Sequence, residues 1–299
     1  MMKYYIKPEE FPVQLKKNIF MLGNYFFNVF LIVGEKQTVL FETGISAVAD
    51  TIISQIERIG IRPDYIIPAH PHSDHITGLP GLMERFPEAT IISAKGAKEF
   101  IEHPKAKHLL IEEDKFMHQS LSQRGLHPKR KPLEEIPDLS NSLTVETQKS
   151  LNLGNITIEL IKVYGHSPGN LIAFIPELKI VFTSDSIGFH FPGRFFFPLF
   201  FTGLNEYLST IDLIKSFNPI MACPAHQGHI AGNALEHALK ETRDATFEIT
   251  DLIKQGSCSN NDLSEKLFNY CYVDEFTLYT EANIRNCVTL LIKRANEVN

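Results

Sequence analysis

The stretch that most constrains this chain is Ala69-His70-Pro71-His72-Ser73-Asp74-His75-Ile76-Thr77-Gly78. Three imidazoles and a carboxylate within six residues make poor packing material, because such groups are costly to desolvate unless something compensates them. A metal ion compensates them best. The apolar run before it, Asp64 to Pro68, predicts a short buried strand, and Leu79 to Phe86 predicts an amphipathic helix, so the histidines fall on a strand-to-helix loop. Side chains two apart on extended backbone share a face, which aims His70 and His72 the same way. Asp74 and His75 follow the turn of the chain and are placed to face a second ion.

A motif of this kind needs its remaining ligands elsewhere. Three stretches offer them. Tyr164-Gly165-His166-Ser167-Pro168-Gly169-Asn170 puts a histidine in a glycine-flanked turn after a strand predicted for Ile156 to Val163. Phe182-Thr183-Ser184-Asp185-Ser186 ends another apolar strand with a carboxylate, and Met221-Ala222-Cys223-Pro224-Ala225-His226-Gln227-Gly228 ends a third with a histidine. This pattern resembles the metallo-β-lactamase superfamily over roughly residues 15 to 232, and within it the glyoxalase II and quinolone-signal-response thioesterase type. The resemblance implies that His70, His72 and His166 hold one metal, that Asp74, His75 and His226 hold a second, and that Asp185 bridges the two.

Imidazole and carboxylate suit zinc first, with iron or manganese as alternatives, and paired ions about 3.5–4 Å apart share a bridging hydroxide. Metal-bound water has a pKa near ~7 rather than ~15.7, so such a hydroxide attacks a carbonyl at neutral pH. The expected reaction is therefore hydrolysis of an ester, thioester or lactone. Asp185, as the bridge, and Asp74, as a carboxylate able to steer a proton to the leaving group, are the expected catalytic residues. One position departs from the family pattern. An aspartate usually follows the early strand in a D-T-G turn that braces the metal loop, whereas here the stretch is Leu40-Phe41-Glu42-Thr43-Gly44. Glu42 and the following Gly44-Ile45-Ser46 also occur in the quinolone-signal-response type.

Length and charge narrow the alternatives. The chain has 299 residues, is 43% hydrophobic and carries a formal net charge of −6. That is ample material for one large domain with an appendage. A nucleic-acid partner is not expected, since phosphate neutralisation needs clustered Lys and Arg and the tightest basic run is Lys129-Arg130-Lys131. Cys223, Cys258, Cys271 and Cys287 show no paired spacing, and Met1 to Phe11 is too polar for a signal peptide, so a cytoplasmic protein is expected. No apolar run reaches the ~18 residues of a spanning helix, so no membrane partner is expected either.

In chain order, Asn18 to Leu22, Tyr25 to Val33 and Thr38 to Phe41 read as an antiparallel meander, and Ala47 to Ile59 as a helix. Beyond the metal loop, a strand at Ala89 to Ser93 leads to helices at Lys95 to Phe100 and Pro104 to Ser122. Gln123 to Asn141, with Pro128, Pro132 and Pro137, reads as an irregular insertion. Strands at Leu143 to Glu146, Ser150 to Leu153, Ile156 to Val163, Leu171 to Ile175 and Lys179 to Thr183 are expected to form a second sheet. Leu204 to Phe217 reads as a helix and Pro219 to Cys223 as the last strand. Two sheets, each followed by helices, predict an α/β fold in four layers, an αβ/βα sandwich with the metal site at one open edge, and the resemblance implies the same fold. The expected division is a metallo-β-lactamase-like domain over 1–232 and a C-terminal helical extension over 233–299. That extension reads as three helices, Ala231 to Lys254, Asn261 to Tyr272 and Glu281 to Asn296.

The segment from Phe189 to Phe201 has seven phenylalanines in thirteen residues and no helical or alternating period. It is expected either to plug the core beneath the tail or to wall an apolar substrate pocket, with His190, Phe191, Arg194 and Phe195 as pocket candidates. The tail is expected to fold over the metal edge as a cap, and its helices also offer a homodimer surface. The expected ligand is thus a small acyl substrate. Two rival readings stand beside this one: hydrolysis of a phosphodiester or sulfate ester by the same metals, and a regulatory role in which binding a partner protein matters more than residual hydrolysis.

Overall fold

The computed structural model describes residues 6–191, 193–255 and 259–298, so Pro192 and Cys258 lie outside the described residues. Seven strands run in sequence order across the first sheet: β1 (Val13–Lys16), β2 (Ile19–Gly23), β3 (Asn28–Val33), β4 (Thr38–Phe41), β5 (Tyr65–Ile67), β6 (Thr90–Ala94) and β7 (Leu143–Val145). The first four form the antiparallel meander, and from β4 onward the pairing is parallel. Parallel neighbours need crossovers. The helices α1 (Ser46–Ile59), α2 (Ser73–Ile76), α3 (Leu79–Arg85), α4 (Ala97–Glu102) and α5 (Pro104–Gln123) supply them.

The second sheet holds β8 (Gln148–Asn152), β9 (Thr157–Val163), β10 (Asn170–Ile175), β11 (Ile180–Phe182), β14 (Met221–Cys223) and β15 (Ile230–Ala231), in the order β15-β14-β11-β10-β9-β8. A separate hairpin pairs β12 (Phe189–Phe191) with β13 (Phe195–Phe197). The remaining helices are α6 (Leu204–Ser216), α7 (Asn233–Lys254), α8 (Asn260–Cys271) and α9 (Glu281–Asn296). No helix among the described residues is long and apolar enough to cross a membrane.

Strand alternation makes the layers. In β3, Phe30 and Ile32 face the second sheet while Val29 and Leu31 face the helices; in β10 and β11, Leu171, Ala173, Ile180 and Phe182 face inward while Ile172 and Val181 face α6 and α7. Phe182 meets Phe30 and Phe41 from the opposite sheet at centroid distances of 5.2 and 5.8 Å. The result is the four-layer αβ/βα sandwich that the patterning predicts.

Two details differ from the sequence reading. Leu143–Val145 joins the first sheet, not the second, lying parallel to β6 with Ala94 opposite Val145. Three residues with two exposed side chains carry no signal for which sheet they extend. The Phe-rich segment is a hairpin, not an aperiodic loop: Phe189 opposes Phe197, and Phe191 opposes Phe195. In the basic run, Arg130 binds Asp50 at 2.9 Å and Glu84 at 2.7 Å and so ties the irregular insertion to α1 and α3.

The tail packs on its own body. Leu235 and Leu239 of α7 join the outer face of the second sheet, while Ile249, Leu267, Phe276, Ile284 and Leu291 join the cluster that covers the first sheet and the hairpin. Phe276 alone contacts Phe189, Phe191 and Phe197 at 4.4 to 5.8 Å, and burying such a ring contributes roughly 2–3 kcal/mol. Those apolar residues are covered within the chain.

Candidate metal centre

The candidate ligands collect at strand exits on one edge of the sandwich. The parallel strands β11 and β14 pair Phe182 with Cys223, so Asp185 and His226, each three residues further on, leave the sheet side by side. His166 occupies the turn between β9 and β10. The metal loop follows β5 and is tied to the second sheet where Leu171 donates from its amide to the carbonyl of Ala69 at 2.7 Å. Asp74 and His75 sit on the single turn of α2, rotated away from His70 and His72.

Two groups result. Nε2 of His70 lies 3.0 Å from Nδ1 of His72 and 3.2 Å from Nε2 of His166. In the second group, Nε2 of His75 lies 3.2 Å from Asp74 Oδ2 and 3.3 Å from Asp185 Oδ2, and Nε2 of His226 lies 3.5 Å from Asp74 Oδ2 and 3.4 Å from Asp185 Oδ1. Asp185 Oδ2 is also 3.6 Å from Nε2 of His166, so this one carboxylate reaches both groups. Each group is able to hold a metal ion.

The outward ring nitrogens decide what faces inward. Nδ1 of His166 donates to the Leu199 carbonyl at 2.9 Å, and Nδ1 of His226 donates to the Phe26 carbonyl at 2.6 Å. A carbonyl only accepts, so the proton is on Nδ1 and a lone pair is on Nε2 in the neutral ring. Nε2 of His75 and of His226 are buried without a hydrogen bond. Buried lone pairs converging on one point, with carboxylates beside them, are the chemistry a divalent cation satisfies. The residues present fit such ions.

The two groups differ in charge. Burial and neighbouring imidazoles lower the affinity of His70 and His72 for a proton, His72 to a pKa of about 3, and burial lowers that of His166. In the second group burial opposes every charge but loses. His75 and His226 hold Asp74 and Asp185 well below the usual carboxylate range, while those carboxylates raise His75 and push His226 up to about 9.

Glu42 accepts from Nδ1 of His75 at 3.1 Å, so the glutamate that replaces the usual aspartate orients a ligand ring. It could also form part of a third group with His70 and His75, but its bond to the outward nitrogen marks it as a brace. Thr43 donates from its hydroxyl to the His75 carbonyl at 2.6 Å, and the Gly78 amide donates to the Gly44 carbonyl at 3.0 Å. A Cβ at Gly78 would lie 2.1 Å from the Thr43 carbonyl oxygen, so only glycine permits this approach of the two loops.

Two buried acids, Asp114 beneath the loop and Glu113 beneath the tail, were not evident in the sequence reading. Asp114 accepts from Ser46, Thr77 and the Leu133 amide at 2.6 to 3.0 Å, locking the loop to α1 and the irregular insertion. Its signal is a carboxylate interrupting the buried stripe Leu110, Met117, Leu121 of α5. The other is Glu113, which accepts from the Thr280 amide at 3.2 Å and from Asn283 at 3.3 Å and so fixes the start of α9. Tyr279, immediately before, donates from its hydroxyl to Asp74 Oδ2 at 2.8 Å.

A cavity of about 400 Å³ opens on both groups. His72, Asp74, His166 and Asp185 lie on its floor, Leu109, Phe189, Phe197 and Phe201 make apolar walls, and Phe276, Tyr279, Ile284 and Leu290 of the tail make its roof. The sequence-derived pocket candidates are not on this lining. Hairpin alternation puts His190 on the opposite face, stacked on Phe196 at 4.3 Å. Phe191 and Phe195 share a face with Phe189 and Phe197 but lie nearer the turn, where Phe276 and Tyr270 cover them. Arg194 pairs with Asp274 and lies over the rings of Phe191 and Phe195, so its partner is the tail.

Residues 23–226 match the family model described as the metallo-beta-lactamase superfamily. The chain belongs to that superfamily. Its members are hydrolases in general, and the His/Asp groups of this one are able to bind metal ions. A metallo-beta-lactamase fold-containing protein of Sulfurisphaera tokodaii is 25% identical over 217 residues, covering 71% of this chain and 77% of the relative. A hydroxyacylglutathione hydrolase of Photorhabdus laumondii is 23% identical over 193 residues, 64% of this chain and 60% of that enzyme, so less than two thirds of the enzyme is spanned. Among solved structures, a metallo-beta-lactamase family protein from Thermus thermophilus has a TM-score of 0.63 at 16% identity, covering 93% of this chain and 94% of its own, a likeness of fold.

Proposed function

We propose that this superfamily member is a dinuclear hydrolase that opens an ester, thioester or lactone carrying an apolar acyl group. The cavity supports the reading: its floor is the two ligand groups and its walls are leucine and phenylalanine, the complement of an acyl chain ending in a reactive carbonyl. Two divalent ions, zinc first, would supply an activated water and polarise the carbonyl at neutral pH. His70, His72 and His166 hold one ion, Asp74, His75 and His226 hold the other, and Asp185 serves both. Asp74 and Asp185 both face the cavity, so both carboxylates meet the reacting group. The residues of 233–299 act as a cap on the domain formed by 1–232, closing the acyl site against water.

A phosphodiester or sulfate ester is disfavoured, because its anion needs basic partners and Lys105 is the one Lys or Arg on the lining among the described residues. The thiols of Cys223, Cys271 and Cys287 are free, which suits a reducing compartment. The deciding experiment couples metal analysis to a panel of acyl thioesters, lactones, phosphodiesters and sulfate esters. About two transition-metal ions per chain are expected, with kcat/KM rising with acyl length. A metal-free protein that gains no activity on adding zinc, iron or manganese, or one indifferent to acyl length, refutes the reading. Turnover confined to none of these substrates, with specific capture of a partner protein, would favour the regulatory role instead.

A further inference from the structure

We infer that Tyr279, a tail residue outside the family match, is a positioning residue for the second metal: its hydroxyl fixes the Asp74 carboxylate, so that occupancy of that site depends on this one hydrogen bond. The inference rests on the ligand assignment proposed above. Asp74 Oδ2, the oxygen that receives the Tyr279 hydrogen bond at 2.8 Å, is also the oxygen facing Nε2 of His75 and His226. A carboxylate can rotate about its χ2 bond and present either oxygen. A phenol donating to one of them removes that freedom, and such outer partners set the affinity of a ligand for its ion.

Tyr279 is itself held on both sides. Its amide donates to the Phe276 carbonyl at 3.2 Å, its carbonyl accepts from the Tyr272 hydroxyl at 3.0 Å, and the next residue is bound by Glu113 of α5. The residue is only 7% exposed, so its hydroxyl is largely shielded from bulk water. The consecutive residues Tyr279 and Thr280 thus attach the tail to two acids of the body, one a metal ligand and one not. That division supplies the control.

Wild-type protein, Tyr279→Phe and Thr280→Val are stripped with a chelator and titrated with zinc against a chromophoric chelator. In Tyr279→Phe the first equivalent binds as in wild type, while the second is weakened about 10- to 100-fold. At zinc concentrations that leave the second site partly filled, its kcat falls while KM for an acyl thioester stays unchanged, since the phenyl ring still walls the cavity. Thr280→Val loosens the same segment without touching Asp74 and leaves the second equivalent within about threefold of wild type. Wild-type affinity for both equivalents in Tyr279→Phe overturns the inference, as does equal weakening in Thr280→Val, which would assign the effect to tail docking alone. A measurement on unmodified protein stands independently of either variant folding. Binding is reciprocal, so the second zinc equivalent, not the first, must slow amide exchange over residues 274–283; exchange unchanged by the second equivalent overturns the inference. Wild-type protein that binds no zinc refutes the ligand assignment itself and this inference with it, an outcome distinct from two equivalents bound equally by wild type and Tyr279→Phe.

Discussion

The two halves of the site are neighbours that share Asp185, yet they solve different electrostatic problems. His70, His72 and His166 form a neutral set whose lone pairs meet at 3.0 to 3.2 Å with no proton favoured between them. Asp74, His75, Asp185 and His226 form a set in which raised imidazoles and lowered carboxylates neutralise one another. Their supports differ as well. The first set leans on Ser184 and the Leu199 carbonyl, both within the second half of the sandwich. The second leans on Glu42, the Phe26 carbonyl and Tyr279, drawn from the first sheet and the tail. A neutral set needs an ion to hold it together, whereas a charged set needs an accurate frame to prevent its members from simply pairing.

The largest effect should come from removing the group the halves share. Asp185→Asn keeps the shape but cannot face two cations as a carboxylate does, so ester turnover is expected to vanish while circular dichroism stays that of the wild type. Wild-type turnover would mean the halves do not act as a pair. Glu42→Gln sharpens the comparison next, because its hydrogen bond to a candidate ligand is to His75 of the second set. It should weaken one zinc equivalent about 10- to 100-fold and leave the other unchanged. Equal weakening of both, read by the same competition titration, would show that the brace serves the whole loop.

The smallest effect lies behind the second set, at His190. Burial lowers its pKa to about 4 in the folded chain, so below 6.5 the unfolded chain takes up the proton first. Stability from this residue is therefore fully present above about pH 6.5 and is lost as pH falls toward about 4. His190→Asn should flatten that limb by about one proton in urea melts between pH 4 and 7. An unchanged slope would mean that the ring is solvated in the folded protein.

The convergence of the histidine loop was legible because its information is local. Histidines two apart at a strand exit point together whatever the rest of the fold does, and Asp185 and His226 carried the same exit signature. The three tail helices were legible from their period, with Glu281–Asn296 recovered to the residue. What escaped depends on contacts between distant segments. Leu143–Val145 could pair on either sheet, and three residues did not say which. Phe191 and Phe195 looked like substrate walls because the sequence shows their apolarity but not the ring of Phe276 that covers them. Tyr279 gave no signal, since a lone tyrosine between two predicted helices is ordinary until Asp74 is found beneath it.

The cavity floor is drawn from residues 72–185 and its roof from residues 276–290, and this has a kinetic meaning. The Tyr279 contact with Asp74 spans 205 residues and the His226 contact with Phe26 spans 200. Closing a loop of that length costs roughly 5 kcal/mol of chain entropy, and contacts so far apart form late on the folding path. During synthesis every candidate ligand through His226 is made before the segment that carries Tyr279. The cavity therefore gains its roof, including Ile284 and Leu290, only from the part of the chain that is made last.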